Sequence, residues 1–274
     1  MFSLIDKFIY TACTYIGITI TCILVGVYSK ATYSPQAMRQ FYSSILKRCF
    51  NKLIIFKIIG KQETKPCVYV MNHHSTFDFL LPGLVLGGNT CEMVDENIFT
   101  RFPFIGFVLN RIPCVVYRRG KREQVIQESV DMIKNGYSLL LFPEGKRVTE
   151  LSRFKTGAFE IARKANCPLQ YVVCYNSRDY FPFANNTIPY VVPQNEPLTF
   201  EFGESHTMTN YTDKEEAFIC HSWFDEKLFT WKKNKNEFLL LKRKSLFYIG
   251  YPITLVIVCV YLMLNHTTIT FSFK

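Results

Sequence analysis

"MNHHSTFDFL", residues 71–80, sets two histidines, a serine, a threonine and an aspartate between apolar flanks. Leading into it is "CVYVM", 67–71, a short apolar run that reads as a buried strand. Met71 closes that strand, so Asn72 and His73 fall at its carboxyl end, where sites gather in parallel α/β sheets. Ser75-Thr76-Phe77-Asp78 fits the S-x-x-D capping pattern, which predicts a helix starting at Ser75. Asp78 then has two open readings, a helix cap alone or a carboxylate that orients an imidazole. In one continuous helix His73 and Asp78 would point about 140° apart. They meet only if His73 precedes the first turn and folds back. His74 is expected to pack or support rather than react.

The same pattern recurs along the chain. Apolar, β-branched runs stand at "LIIF" 53–56, "IPCVVY" 112–117, "SLLLF" 138–142, "LQYVVCY" 169–175 and "LTFEFG" 198–203, with helical patterns at 121–135 and 155–166. That alternation predicts an α/β fold, a mostly parallel sheet flanked by helices. "KRCFNKLIIFKIIGK", 47–61, is basic and apolar; it is either a membrane-surface segment or an ordinary helix followed by a strand.

The 274 residues are 49% hydrophobic and 16% aromatic, only 20% charged, yet carry a net charge of +10. An apolar and basic chain suits an anionic membrane surface or phosphate-bearing partners. Without zinc-finger spacing or an aromatic RNA-binding signature, nucleic acid is not an expected partner. The ten cysteines are scattered, with no C-x-x-C, and read as reduced side chains packing as small hydrophobes.

Two uncharged stretches account for the apolar excess. Residues 8–29 are long enough to cross a bilayer and longer than a usual signal-peptide core, and no clear cleavage site follows. Residues 245–264 form a second such stretch, which Pro252 would kink without forbidding. The expected organisation is a membrane anchor at 1–30, a catalytic domain at 31–244, a transmembrane helix at 245–264 and a tail at 265–274. Lys30, Arg39, Lys47 and Arg48 follow the first stretch; Lys242, Arg243 and Lys244 precede the second. The positive-inside rule then places 30–244 in the cytosol and both termini across the membrane.

Simple chemistry narrows the roles at 71–80. Adjacent histidines cannot easily face one ion and no third ligand stands at a familiar spacing, so no metal is expected. With no G-x-S-x-G elbow, a nucleophilic serine has no support. A histidine acting as general base remains.

N-H-x-x-x-x-D after a strand resembles the first motif of the glycerolipid acyltransferases, the lysophosphatidate (1-acylglycerol-3-phosphate) acyltransferase family. Three further blocks follow in that family's order. "FTRFPFIGFVLNRIPCVVYRRG", 99–120, resembles the second, with Arg118 at its arginine; "LLLFPEGKRV", 139–148, resembles F-P-E-G-T-R-S; "FKTGAFEIARKANCPLQYVVCYN", 154–176, resembles the F-K-x-G-A helix and the next strand. The sequence departs at Lys146 and Val148, and Tyr171 stands where the family has a second proline.

The resemblance implies a membrane-bound enzyme of the endoplasmic reticulum, its catalytic domain facing the cytosol. It would transfer an acyl group from acyl-CoA, a co-substrate, to lysophosphatidate, with no cofactor. His73 would take the acceptor hydroxyl's proton and Asp78 would hold the imidazole. Substrate contacts are expected from Asn72, Arg118, Glu144, Gly145, Lys146, Arg147 and Lys155, with Arg118 and Arg147 as a phosphate clamp. Glu144 either orients Arg147 or receives an acceptor hydroxyl, and Lys155 is either a phosphate ligand or a surface lysine. Glycerol-3-phosphate or another lysophospholipid is the alternative acceptor, and a non-catalytic lipid-binding protein of the same fold the other class.

Sequons test the topology, because sugar is added only on the lumenal side. Asn185 and Asn210 begin sequons in the middle of the chain. A fresh sequon on a flexible linker after Lys274 should be glycosylated in a eukaryotic host while Asn185 and Asn210 stay bare. Sugar on either of those two inverts the topology.

Overall fold

The computed structural model describes residues 4–28, 34–50, 54–75, 78, 81–87, 89–101, 103–182, 191–192, 194, 196–208 and 211–238. The expected C-terminal membrane helix and tail, 245–274, lie outside the described residues, as do Asn185 and Asn210.

In chain order the elements are α1 (Leu4–Tyr28), α2 (Pro35–Phe50), β1 (Phe56–Ile59), β2 (Val68–Met71), α3 (Leu81–Val85), β3 (Thr90–Asp95), α4 (Ile98–Arg101) and α5 (Pro103–Leu109). Then follow β4 (Val115–Tyr117), α6 (Arg122–Lys134), β5 (Ser138–Leu141), α7 (Gly157–Ala165), β6 (Leu169–Tyr175), α8 (Ser177–Tyr180), β7 (Leu198–Phe202) and α9 (Asp213–Phe238). One sheet runs β1-β7-β6-β2-β5-β3-β4. All neighbours are parallel except β6 and β7.

The mostly parallel sheet is therefore as expected, with β2 near its centre. Every residue of β2, β5 and β6 is buried, which is why these strands read as continuous apolar runs rather than alternating ones. Period-two geometry divides them between two cores. Val68 and Val70 face a cluster with Val125, Ile126 and Phe159, from α6 and α7. Tyr69 and Met71 face a cluster with Val25, Met38, Tyr42 and Leu109, from α1, α2 and α5.

At 47–61 the structure has the helix followed by a strand. The strand starts three residues later than the apolar run suggested, at Phe56, and forms a sheet edge. Ser34 caps α2: its hydroxyl accepts the Ala37 N–H at 3.3 Å, and Pro35 occupies the first helical position, where a missing N–H costs nothing.

Strand β3, "TCEMVD", was not anticipated, because Thr90 and Glu92 break the apolar run. Glu92 is nevertheless buried, and it is paired with Arg39 of α2. Two guanidinium N–H groups donate to its two oxygens at 2.7 Å each. Arg39 has no exposed surface. Its charge is neutralised inside the domain, so it drops out of the flanking-charge bias that set the expected orientation.

Helix α1 carries, at Lys7–Gly26, the stretch long and apolar enough to cross a membrane. Its packing differs from that of a free-standing span. The Val191 N–H donates to Thr11 Oγ1 at 2.9 Å near one end, and Phe107 closes on Gly26 near the other. That docks roughly 22 Å of helix along the domain, at 1.5 Å per residue. Cys22 and Val25 enter the core, while Ile5, Phe8, Ile16 and Ile23 face outward.

The Arg39–Glu92 pair gives a direct check on the core. Arg39→Met strands a buried carboxylate and should cost about 3–5 kcal/mol, whereas the double variant Arg39→Met, Glu92→Leu should recover most of the loss. Unfolding of the wild type, both single variants and the double variant measures the coupling. Losses that simply add would contradict it.

Candidate active site

Strand β2 delivers Asn72 and His73 to the sheet's carboxyl edge, and the chain then turns back. His73 Nδ1 lies 2.8 Å from Asp78 Oδ2. Asp78 has no exposed surface, and the His73 side chain is 20% exposed. The same Oδ2 accepts the Ser75 N–H at 2.8 Å, and the Ser75 hydroxyl donates to Oδ1. Asp78 thus does both things the sequence left open: it closes the turn at Ser75 and holds the imidazole. Helix α3 begins at Leu81, and residues 76–77 and 79–80 lie outside the described residues.

A carboxylate facing Nδ1 fixes the proton there, leaving the lone pair on Nε2. Phe142, at the end of β5, stacks on the imidazole at 4.2 Å between centroids with 20° between planes. Together these groups hold the ring in one orientation.

Val70 pairs with Leu141, so β2 and β5 leave the sheet side by side. The turn after β5 then closes on His73. The His73 N–H donates to Glu144 Oε2 at 3.2 Å, and the Val148 N–H donates to the His73 carbonyl at 2.9 Å. Gly145 has φ of +66°, a left-handed conformation that favours glycine, and the flexible end of the Lys155 side chain lies over it. Lys146 and Arg147 are exposed on that turn. Glu144 is buried, and burial pushes its carboxyl up to about 7 against the opposing backbone hydrogen bonds.

Two expected substrate contacts are placed elsewhere. Asn72 is wholly buried: its amide donates to Cys174 O at 3.0 Å and accepts from Cys174 N–H at 2.8 Å. It is a bracket between β2 and β6, with no surface to offer a substrate. Arg118 follows β4, three strands from β2, roughly 14 Å at ordinary strand spacing. It pairs there with Glu128 of α6 at 3.1 Å to each oxygen. Phe142 was missed because a phenylalanine ending a strand reads as core. No group of three or more His, Cys, Asp or Glu side chains suited to a metal occurs among the described residues.

A histidine held by a buried carboxylate at the end of a parallel strand, flanked by a basic glycine turn, suits proton abstraction from a phosphate-bearing substrate. Residues 55–175 match the family model described as Acyltransferase.

The chain is similar to proteins named 1-acyl-sn-glycerol-3-phosphate acyltransferase. It is 30% identical over 128 residues to the chloroplastic 1-acyl-sn-glycerol-3-phosphate acyltransferase BAT2 of Brassica napus, covering 45% of this chain and 37% of that one. It is 27% identical over 139 residues to the human 1-acyl-sn-glycerol-3-phosphate acyltransferase beta, covering 46% and 49%. The matches thus span less than half of each relative's length. In fold it is similar to the 1-acyl-sn-glycerophosphate acyltransferase PlsC of Thermotoga maritima, with a TM-score of 0.61 at 18% identity over 88% of this chain and 99% of that one.

Glu144 makes the site's stability pH-dependent. A carboxyl raised by folding is protonated in the folded protein before it is in the unfolded chain, so its contribution falls as pH rises through about 7. Relative to Glu144→Gln, the wild type should lose about 3 kcal/mol of unfolding free energy between about pH 5 and about pH 8. Parallel unfolding curves of the two proteins across that range would contradict the assignment.

Proposed function

We propose that this chain is a membrane-associated acyltransferase that moves a fatty acyl group from acyl-CoA to the free hydroxyl of lysophosphatidate, giving phosphatidate. The observation that carries the reading is the 2.8 Å contact between His73 Nδ1 and a fully buried Asp78.

His73 Nε2 takes the acceptor hydroxyl's proton as the oxygen attacks the thioester carbonyl. Asp78 holds the tautomer this requires and stabilises the imidazolium that forms. As the tetrahedral adduct collapses, the carbon–sulfur bond breaks, and the departing thiolate takes the proton back from His73. The ester and the free thiol are the products, and no covalent acyl-enzyme is needed.

The acceptor's phosphate is assigned to the turn after β5, with Arg147, Lys146 and Lys155 around Gly145. Arg118 is kept as a further phosphate contact, with its Nη1 paired to Glu128 in this structure. Glu144 acts through the His73 backbone, as a positioning residue. The outward face of α1, with Phe8, Ile16 and Ile23, is assigned to lipid. A cytosolic domain at the endoplasmic reticulum remains part of the proposal, resting on the lysine and arginine bias without Arg39.

His73→Ala should lower turnover at least about a hundredfold in protein that still folds, with some loss of stability from the weakened hold on Asp78. The assay is acyl transfer from labelled acyl-CoA to lysophosphatidate, glycerol-3-phosphate and a neutral monoacylglycerol, in detergent. Near-normal turnover by the folded variant would rule out His73 as the base. A wild type that acylates none of the three acceptors would support the non-catalytic alternative.

A further inference from the structure

Helix α9 packs on the face of the sheet opposite α1, and a buried charge that the acyl-transfer steps leave unused fastens it there. Glu216, in its first turn, is 1% exposed. Its Oε1 lies 2.7 Å from His206 Nε2 and also accepts the Tyr171 hydroxyl. His206 precedes α9 and is pinned to β6 by two backbone bonds. The Leu169 N–H donates to His206 O at 2.7 Å, and the His206 N–H donates to Leu169 O at 3.0 Å. The Tyr171 and His206 rings meet edge to face at 5.3 Å. Tyr171 is the residue that stands at the resembled motif's second proline, so this fastening uses a position where the sequence departs from that motif.

The hydrogen bond to Glu216 lifts the His206 imidazolium above the ordinary histidine value, against burial. Burial opposes the Glu216 charge, but His206 and Tyr171 outweigh it and hold the carboxyl below its ordinary value. The other titratable groups here are Tyr171 of β6, Cys220 of α9 with Glu144 acting on it, and Glu63, which accepts from Ser205. Among the described residues, the cation paired with Glu216 is His206. A histidine raised by folding contributes fully below about pH 6.5 and loses that contribution as pH climbs through the raised value. A depressed carboxyl loses its contribution only as pH falls below the carboxylate range. The fastening is therefore strongest in mildly acidic solution. Above neutrality the buried carboxylate keeps only neutral donors, which bond it less strongly.

Direct contacts lead from α9 to the Gly145 turn. Phe154 is buried against His221 and Phe224 of α9, with centroids at 5.1 and 5.4 Å. The next residue, Lys155, donates its N–H to Pro143 O at 2.8 Å, and its side chain lies over Gly145. We propose that Glu216, His206 and Tyr171 form a pH-responsive clasp whose hold on α9 positions the Gly145 turn. When His206 loses its proton, the first turns of α9 loosen, and with them Phe154 and the turn. These are positioning residues and none of them touches a substrate. Arg163, bonded to both Asp213 oxygens, and the apolar packing of α9 are unaffected in this range, so the helix loosens without leaving. The proposal rests on the acyl-transfer reading only for what the turn holds, the acceptor's phosphate.

The test is amide hydrogen exchange of the full chain in detergent at pH 6 and pH 8.5. The quantity read is the protection of the wild type divided by that of His206→Gln, a ratio that cancels the contribution of Glu144. Across Ala217–Phe224, and at the Lys155 and Val148 amides, it should be at least about fivefold at pH 6 and near one at pH 8.5. His206→Lys, charged at both pH values, should be protected more than the wild type at pH 8.5. In turnover, His206→Gln should raise the KM for lysophosphatidate at pH 6 with kcat unchanged, and match the wild type at pH 8.5. A ratio equal at the two pH values, a ratio confined to α9, or a KM difference that persists at pH 8.5 would overturn the clasp. Should His206→Gln fail to fold, the His206→Lys comparison decides, and equal protection of that variant and the wild type at pH 8.5 would overturn it. Exchange is read without turnover, so a wild type that shows the expected ratios but acylates no acceptor would retire the reaction and leave the clasp standing.

Discussion

A carboxylate with no exposed surface must be held by donors, and at Asp78 three converge. The Ser75 N–H and the Ser75 hydroxyl close the turn, and His73 Nδ1 takes the remaining approach. Unpaired, such a buried charge would be strongly destabilising. The same requirement forces the chain to fold back after β2 and fixes the imidazole. Fold and site therefore share one constraint, because a turn that satisfies Asp78 also presents His73 Nε2 at the sheet's carboxyl edge.

Both neighbours of β2 serve that constraint. On one side the Asn72 side chain brackets the strand to the Cys174 backbone of β6 through two hydrogen bonds. On the other, the turn after β5 reaches back through Glu144 and Val148 to the His73 backbone. Glu144 is buried close enough to Asp78 for that negative charge to help raise its carboxyl to about 7, with burial the larger cause. Two carboxyl groups can share this small space because one gives up its charge near neutrality. The turn favours glycine at 145 because its backbone is left-handed there.

Much of this was legible in the chain, and the reasons it was legible are local. β2, β5 and β6 announced themselves as unbroken apolar runs because both their faces are covered. The S-x-x-D spacing predicted the turn that joins Ser75 to Asp78. What stayed hidden depends on contacts distant in sequence. Glu92 made β3 look like a loop, since its partner Arg39 is 53 positions away. The same pairing removed Arg39 from the charge bias used for topology. Asn72 reads as a site residue in the motif but faces β6, a direction only the sheet order supplies. The position of Arg118, three strands from β2, follows from a crossover that local sequence does not encode. Tyr171, at the family's second proline, donates its hydroxyl to Glu216 of α9, a contact that explains the departure and that no short motif foretells.

The central claim is that Asp78 holds His73 with its proton on Nδ1 and its lone pair on Nε2. Nitrogen-15 NMR of the full chain in detergent near neutral pH, with labelled histidine and His73 assigned by comparison with His73→Gln, reads this directly. The account predicts a protonated Nδ1 and an unprotonated Nε2, with the Nδ1 signal shifting when Asp78 becomes Asn. A proton resident on Nε2 in the wild type, or an Nδ1 signal indifferent to Asp78→Asn, would contradict it.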